Sequence, residues 1–301
     1  MIRFSLGRRL VLAAPYLWIA AFFITPMALI FKISLSQPVE ARPPYEPLFS
    51  FADGPSVWWQ KLQMLGFETY RALLDDPLYI DSYLSSLTIA AISTLLTLIV
   101  AYPFALAISR SPRYLRPLLL GLAIAPFWTS FLIRVYAWIA LLKDEGLINH
   151  ALMALHVIDA PLGLYATNTA VVIGIVYSYL PFMLLPLYSV LEGQDPSLRE
   201  AAADLGASPA QVFWRVTLPL SRRGVFAGCL LVFIPAVGEF VIPDLLGGSD
   251  ILMIGQTLWT EFFANKDWPV ASAVAVLLLC LLVGPIMIYQ HMQAKSLAGE
   301  R

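Results

Sequence analysis

The chain has 301 residues, 59% of them hydrophobic and only 13% charged, with a mean hydropathy of +0.75 and a formal net charge of -1. Soluble domains are about half apolar and about a quarter charged, so this composition argues against a water-soluble globular enzyme and for lipid as the main solvent. A net charge near zero says nothing about partners, but the distribution of charge along the chain does.

A membrane-crossing helix needs roughly 20 mainly apolar residues to span ~30 Å of hydrocarbon. Six stretches meet that demand, at about 10–35, 80–108, 117–142, 168–191, 224–246 and 269–290. They predict an all-α polytopic membrane protein with six transmembrane helices. The first stretch follows Arg3, Arg8 and Arg9. Its apolar run exceeds the ~7–15 residues of a signal-peptide core and no A-x-A pattern closes it, so it reads as a retained first helix.

Six spans place both termini on one side. That side carries twelve lysines and arginines, including Arg110, Arg113, Arg116, Arg222, Arg223, Lys295 and Arg301, against five on the other. Basic residues concentrate in cytoplasmic loops, so both termini are expected to be cytoplasmic. The opposite side holds thirteen acids, Asp250 and Asp267 among them. Two readings of this excess stand: acids accumulate outside because bases are kept inside, or they form a field that attracts cations.

The expected layout is a cytoplasmic N-terminus with the first span (1–36), an outer segment (37–78), a core of spans (79–291) and a tail (292–301). The outer segment is rich in prolines and aromatics, including Pro43, Pro44, Trp58 and Trp59. Trp and Tyr favour the water–lipid interface; lying flat on the membrane and packing against a docked partner both suit this segment. Cys229 and Cys280 lie in apolar runs without a CxxC pair, and read as small core residues. His150, His156 and His291 are scattered, so neither a metal site nor a catalytic constellation is expected. No G-x-x-x-x-G-K-[ST] loop is present to cradle nucleotide phosphates.

The loop 192–223, between the fourth and fifth spans, is the most informative segment. Ser197 with Glu200 and Ser208 with Gln211 have the spacing of capping boxes, and Pro209 suits a first helical position. Gly206 falls where a helix end needs positive φ. Two short helices with a sharp turn follow. The first presents Ala201, Ala202 and Leu205; the second presents Val212, Phe213 and Val216, with Phe213 and Trp214 as large anchors. An apolar helix pair outside the lipid needs something to bury it.

The pattern E-A-A, three residues, Gly, nine residues, an aliphatic, one residue, Leu-Pro runs from Glu200 to Pro219, with Val216 in the place where Ile is usual. It resembles the signature of type I ATP-binding-cassette importer permeases. The resemblance implies that this loop docks on a separate ATPase subunit through Glu200, Ala201, Ala202 and Gly206. Phe213, Leu218 and Pro219 would seat the loop against the bundle. It also implies a transport subunit without an ATPase site of its own, with ATP and Mg on the partner and no cofactor bound here.

Charged side chains inside spans are functional candidates because lipid burial is costly. Arg134 lies in the third span, Glu239 and Asp244 in the fifth. At ~1.5 Å per residue, Arg134 and Glu239 reach depths within one turn of each other, so a structural ion pair is geometrically allowed. The alternative is that Glu239 and Asp244 receive a cation, with Trp128, Tyr136, Trp138 and Phe240 adding cation–π contacts of roughly 0.5–2 kcal/mol each. Pro235, Gly238 and Pro243 interrupt the fifth span, and broken helices are tolerated where they line a cavity or are buried in protein.

The runs 127–138 and 235–248, and Asp267-Trp268-Pro269, are similar to the permeases of bacterial polyamine importers. That resemblance covers nearly the whole chain and implies a multi-pass inner-membrane protein. Its implied partners are a second related permease, two ATPase subunits, a periplasmic polyamine-binding protein and the lipid bilayer, with no nucleic acid. The implied cargo is a polyamine, with putrescine the first expectation. Rival readings are another small solute, a secondary transporter or channel, and an intramembrane enzyme. The docking loop argues against the transporter or channel, and the missing catalytic groups against the enzyme.

Overall fold

The computed structural model describes residues 6–299 apart from Phe51 and Asp250. Arg3, Asp250 and Arg301, counted above, lie outside the described residues, as do the side chains of Arg8, Arg9, His291 and Lys295. The chain forms two compact units, residues 1–80 with 257–301 and residues 81–256. The last span therefore groups with the N-terminal helices, and the expected core 79–291 is divided.

In the first unit, α1 (Leu6–Ile19) continues through a π-helical turn (Ala20–Ile24) into α2 (Thr25–Ser34). Residues Ala13–Ser34 make one apolar helix long enough to cross a membrane. The turn widens directly before Pro26, whose missing N–H leaves that turn one ladder bond short. The outer segment folds into a minimal hairpin, β1 (Gln37–Pro38) with β2 (Tyr45–Glu46), followed by α3 (Pro55–Gln63) and α4 (Glu68–Asp75). Lys32 at the end of α2 donates to the Pro47 carbonyl and lies 4.3 Å from the Tyr45 ring centre, which ties this segment to its helix. Lys61 pairs with Asp53 at 2.5 Å and holds that carboxyl below its usual range.

The second unit contains most of the helical mass. Its long members are α5 (Pro77–Arg110, which begins in the first unit), α9 (Asn168–Glu192) and α12 (Leu218–Val237). Glycine lets α9 and α12 approach closely. A Cβ on Gly224 would come within 2.9 Å of the Pro186 carbonyl, and one on Gly228 within 2.6 Å of Met183 Sδ. Ala101, Tyr102 and Ala105 of α5 complete a buried cluster with Met183, Leu184, Leu187 and Val232.

Among the described residues four helices are long and apolar enough to cross a membrane, or five if the bent third pair is one span; the sixth expected span shows only the shorter apolar stretch Trp268–Gly284, and two of the others differ in form. The third is a bent pair: α6 (Arg116–Ile124) with a 3-10 turn (Ala125–Trp128), then α7 (Phe131–Leu142), which with α8 (Leu147–Ala154) turns away by 87°. Thr129 and Ser130 are extended at the break (ψ 158° and 137°). The fifth was expected at 224–246, but a helix continuous from Pro209 ends at Val237. Residues beyond Gly238 form the separate short helix α13 (Val241–Leu246), followed by α14 (Ile254–Trp259). The physical reason is local. Pro243 cannot donate to a continued ladder. The helix expected as the last span, α15 (Trp268–Gly299), is capped by Asp267, whose carboxylate accepts from the Val270 N–H at 3.0 Å and whose pKa is raised by burial.

Candidate functional site

The loop after α9 builds two short helices, α10 (Pro196–Asp204) and α11 (Pro209–Val212). The first expected capping box does not form. Pro196 takes the first helical position, which shifts the cap to Asp195, whose carboxylate accepts from the Ser197 N–H at 2.9 Å. That bond holds the Asp195 carboxyl below its usual range. Glu200 therefore lies in the second turn, exposed, and not at the helix N-terminus. The second box forms in full: the Gln211 N–H donates to Ser208 Oγ, and the Ser208 N–H to Gln211 Oε1.

Between the two helices Gly206 has φ +85°. Its N–H donates to the Ala203 carbonyl at 2.8 Å, and the Ala207 N–H to the Ala202 carbonyl at 3.1 Å. This is a Schellman turn, which satisfies carbonyls that the helix end leaves free. Leu205 is 90% exposed and Trp214 65% exposed, while Val212 is buried and Phe213 half-buried. The free anchors are thus Leu205 and Trp214; Phe213 faces inward. Gln194 Nε2 donates to the Thr217 carbonyl at 3.1 Å, closing the loop's base. A π-helical turn (Phe213–Thr217) directly before Leu218 and Pro219 leads into α12.

The second candidate region is the break between α12 and α13. Glu239 is buried, and its carboxylate accepts from the Tyr179 hydroxyl at 2.5 Å and from the Val241 and Ile242 N–H groups at 3.1 and 3.4 Å. It caps α13. The expected pair with Arg134 is absent from the ion pairs among the described residues. The Arg134 guanidinium lies 4.3 Å from the Phe127 ring centre and 5.8 Å from that of Phe131, because the bend at 129–130 brings the 3-10 turn over the start of α7. Its Nε and Nη1 are buried without a hydrogen-bond partner among the described residues. Similar depth thus did not bring these two charges together.

The aromatic residues near these charges in sequence also separate. Trp128 and Tyr136 are exposed, Phe240 is half-buried, and Trp138 packs edge-on to Tyr177 of α9, with 5.4 Å between centroids. Asp244 is exposed on the first turn of α13. Sequence reasoning missed Tyr179, Asp195 and Gln194. For Asp195 the signal was present, as an acid before a proline; for Tyr179 there was none, since its partner lies sixty residues away.

A family model described as "Binding-protein-dependent transport system inner membrane component" matches residues 93–295. The chain belongs to this family of inner-membrane permeases. It is a non-enzymatic, multi-pass membrane subunit of an importer. Among curated relatives, a spermidine/putrescine transport system permease protein PotB of Haemophilus influenzae is 38% identical over 98% of this permease and 96% of the relative. The PotB of Escherichia coli is 45% identical over 74% and 80% of the two chains. A molybdenum transport system permease protein ModB of Mycobacterium bovis is 32% identical over 73% and 81%. A chain of a solved bacterial alginate ABC transporter superposes with TM-score 0.69 at 15% identity, covering 95% of this permease and 93% of that chain, which shows the shared fold.

Proposed function

We propose that this permease forms, with a second related permease, the translocation pathway of an ATP-driven polyamine importer. Two ATP-binding-cassette subunits, carrying the ATP and Mg, dock at the loop 192–223, and a periplasmic polyamine-binding protein delivers the cargo. Both termini are then cytoplasmic, with the basic loops. The observation that carries the reading is the loop itself: two short helices, rigidly turned at Gly206, hold Leu205 and Trp214 out of the bundle. Exposed large apolar groups on a preorganised turn suit a protein partner.

Polyamine is supported by the relatives' names and by the excess of acids on the outer side. Putrescine is the proposed first cargo. A family relative named for molybdenum transport makes another solute the rival reading, and an exposed carboxylate at Asp244 disfavours an anion.

Purification of the tagged permease from its native host is the test. Co-purification of an ATPase subunit and a polyamine-binding protein supports the proposal; recovery with a binding protein for an anion overturns the cargo. The purified permease alone is expected to show no ATP hydrolysis. Hydrolysis by a preparation free of ATPase subunits would refute the assignment.

Asp244 is the acidic group proposed to face the cargo, in place of the buried Glu239. Asp244→Asn is expected to lower uptake of labelled putrescine about fivefold, the effect of ~1 kcal/mol of lost attraction, at unchanged membrane levels. Its side chain is exposed, so folding has little to lose. Uptake equal to wild type at limiting putrescine would remove Asp244 from the pathway.

A further inference from the structure

Buried hydroxyls in an apolar bundle are costly unless paired, and one such pair sits where the loop enters the long helices. Tyr102 of α5 is 7% exposed, and its hydroxyl lies 2.7 Å from Oγ of the fully buried Ser221. Ser221 donates its single proton to the Leu218 carbonyl at 3.0 Å, so the tyrosine is the donor to Ser221. The Tyr102 ring also meets Phe213 edge to face, with centroids 5.5 Å apart at 86°. One side chain of α5 therefore holds both ends of the π-helical turn: Phe213 opens it, and Leu218 and Ser221 begin the helix beyond it.

That turn is in the π register, to which an α-helical register is the alternative. In the observed one the Phe213 carbonyl accepts from the Leu218 N–H; in an α-helical register it would accept from the Thr217 N–H. Thr217 Oγ1, within this turn, is buried without a hydrogen-bond partner among the described residues. Single π turns inside helices are frequent at functional sites. Changing register would displace Phe213 relative to Ser221, and Tyr102 touches both. Meanwhile α9 and α12 are held against each other by the glycine contacts at Gly224 and Gly228. Displacement of the loop thus reaches α9 and α12 directly, and α5 at Tyr102.

We propose that the contact of Tyr102 with Ser221 and Phe213 is the joint that passes displacement of the loop 192–223 to α5, which makes Tyr102 and Ser221 positioning residues for coupling ATP hydrolysis to transport. The proposal rests on the reading of this loop as the ATPase-docking element. Coupling through a structure requires an element with two discrete arrangements that both sites bias; the π turn is that element, and the tyrosine reports its state to α5.

The test uses the assembled importer in proteoliposomes with its binding protein, measuring ATP hydrolysis and labelled polyamine uptake in the same vesicles. Tyr102→Phe retains the ring edge on Phe213 and removes only the hydroxyl. It is expected to lower uptake per ATP hydrolysed about fivefold, the factor that corresponds to one net hydrogen bond. Hydrolysis and subunit recovery stay near wild type. Ser221→Ala is expected to do the same, and the double variant no more than either alone, since both act through one bond. An unchanged ratio in both single variants, or additive losses in the double, overturns the joint. If assembly rather than the ratio falls, Tyr102 is only structural and the joint is equally overturned. Failure of the underlying loop reading would show separately, as normal uptake by both the Gly206→Val and the Glu200→Lys variants.

Discussion

Replacing Gly206 with valine is expected to abolish polyamine uptake, by more than about tenfold, while the permease stays in the membrane at normal levels. Gly206 has φ +85°, and a Cβ built there meets nothing within 4 Å. The cost is therefore conformational and not steric crowding: a β-branched residue in this region costs about 1–3 kcal/mol. The turn must reopen to relieve it, which breaks the two Schellman bonds and re-aims Leu205. Gly206→Asn is the control, because asparagine tolerates the left-handed region, and most uptake should survive. Glu200→Lys is expected to abolish uptake as well, for a different reason. Glu200 is exposed in the second turn of α10, so charge reversal leaves the fold intact and acts on the docked partner. Labelled uptake with immunoblotting of membranes measures all three. Wild-type uptake by both Gly206→Val and Glu200→Lys would exclude this loop as the coupling element.

Glu239→Ala should produce the largest loss of stability. It removes the acceptor of the first two N–H groups of α13, a loss of the size of a cap, ~0.5–2 kcal/mol, and leaves the Tyr179 hydroxyl without its acceptor, at ~1–3 kcal/mol. A total of about 1.5–5 kcal/mol should show as reduced membrane levels and a lower thermal transition in detergent. Glu239→Gln retains one carbonyl oxygen for the two N–H groups and should cost less. Because Arg134 stacks on Phe127 and does not pair with Glu239, Arg134→Gln should not rescue Glu239→Gln. The two effects should add within about 0.5 kcal/mol. Restored protein levels in the double variant would mean that the two charges do interact in the assembled importer.

The sequence by itself determined the solvent, the approximate spans, and the shape of the loop 192–223. Each of these rests on short-range physics: a run of apolar residues long enough for the bilayer, a proline without an N–H, a glycine at positive φ, a serine and glutamine three residues apart. Even there the cap moved from Ser197 to Asp195, because Pro196 competes for the first helical position. Only the tertiary structure decided where the third and fifth spans break and what the charges inside them meet. Pro235, Gly238 and Pro243 announce an irregular fifth span without choosing among them, and no local pattern places the third span's break at Thr129–Ser130. Depth along a helix is one coordinate of three, so it placed Arg134 level with Glu239 without showing that one turns to Phe127 and the other to Tyr179. The Tyr102–Ser221 contact joins residues 119 apart in sequence, and no local pattern encodes it. It exists because α5 and α12 pack at one register, and packing is a property of the whole bundle.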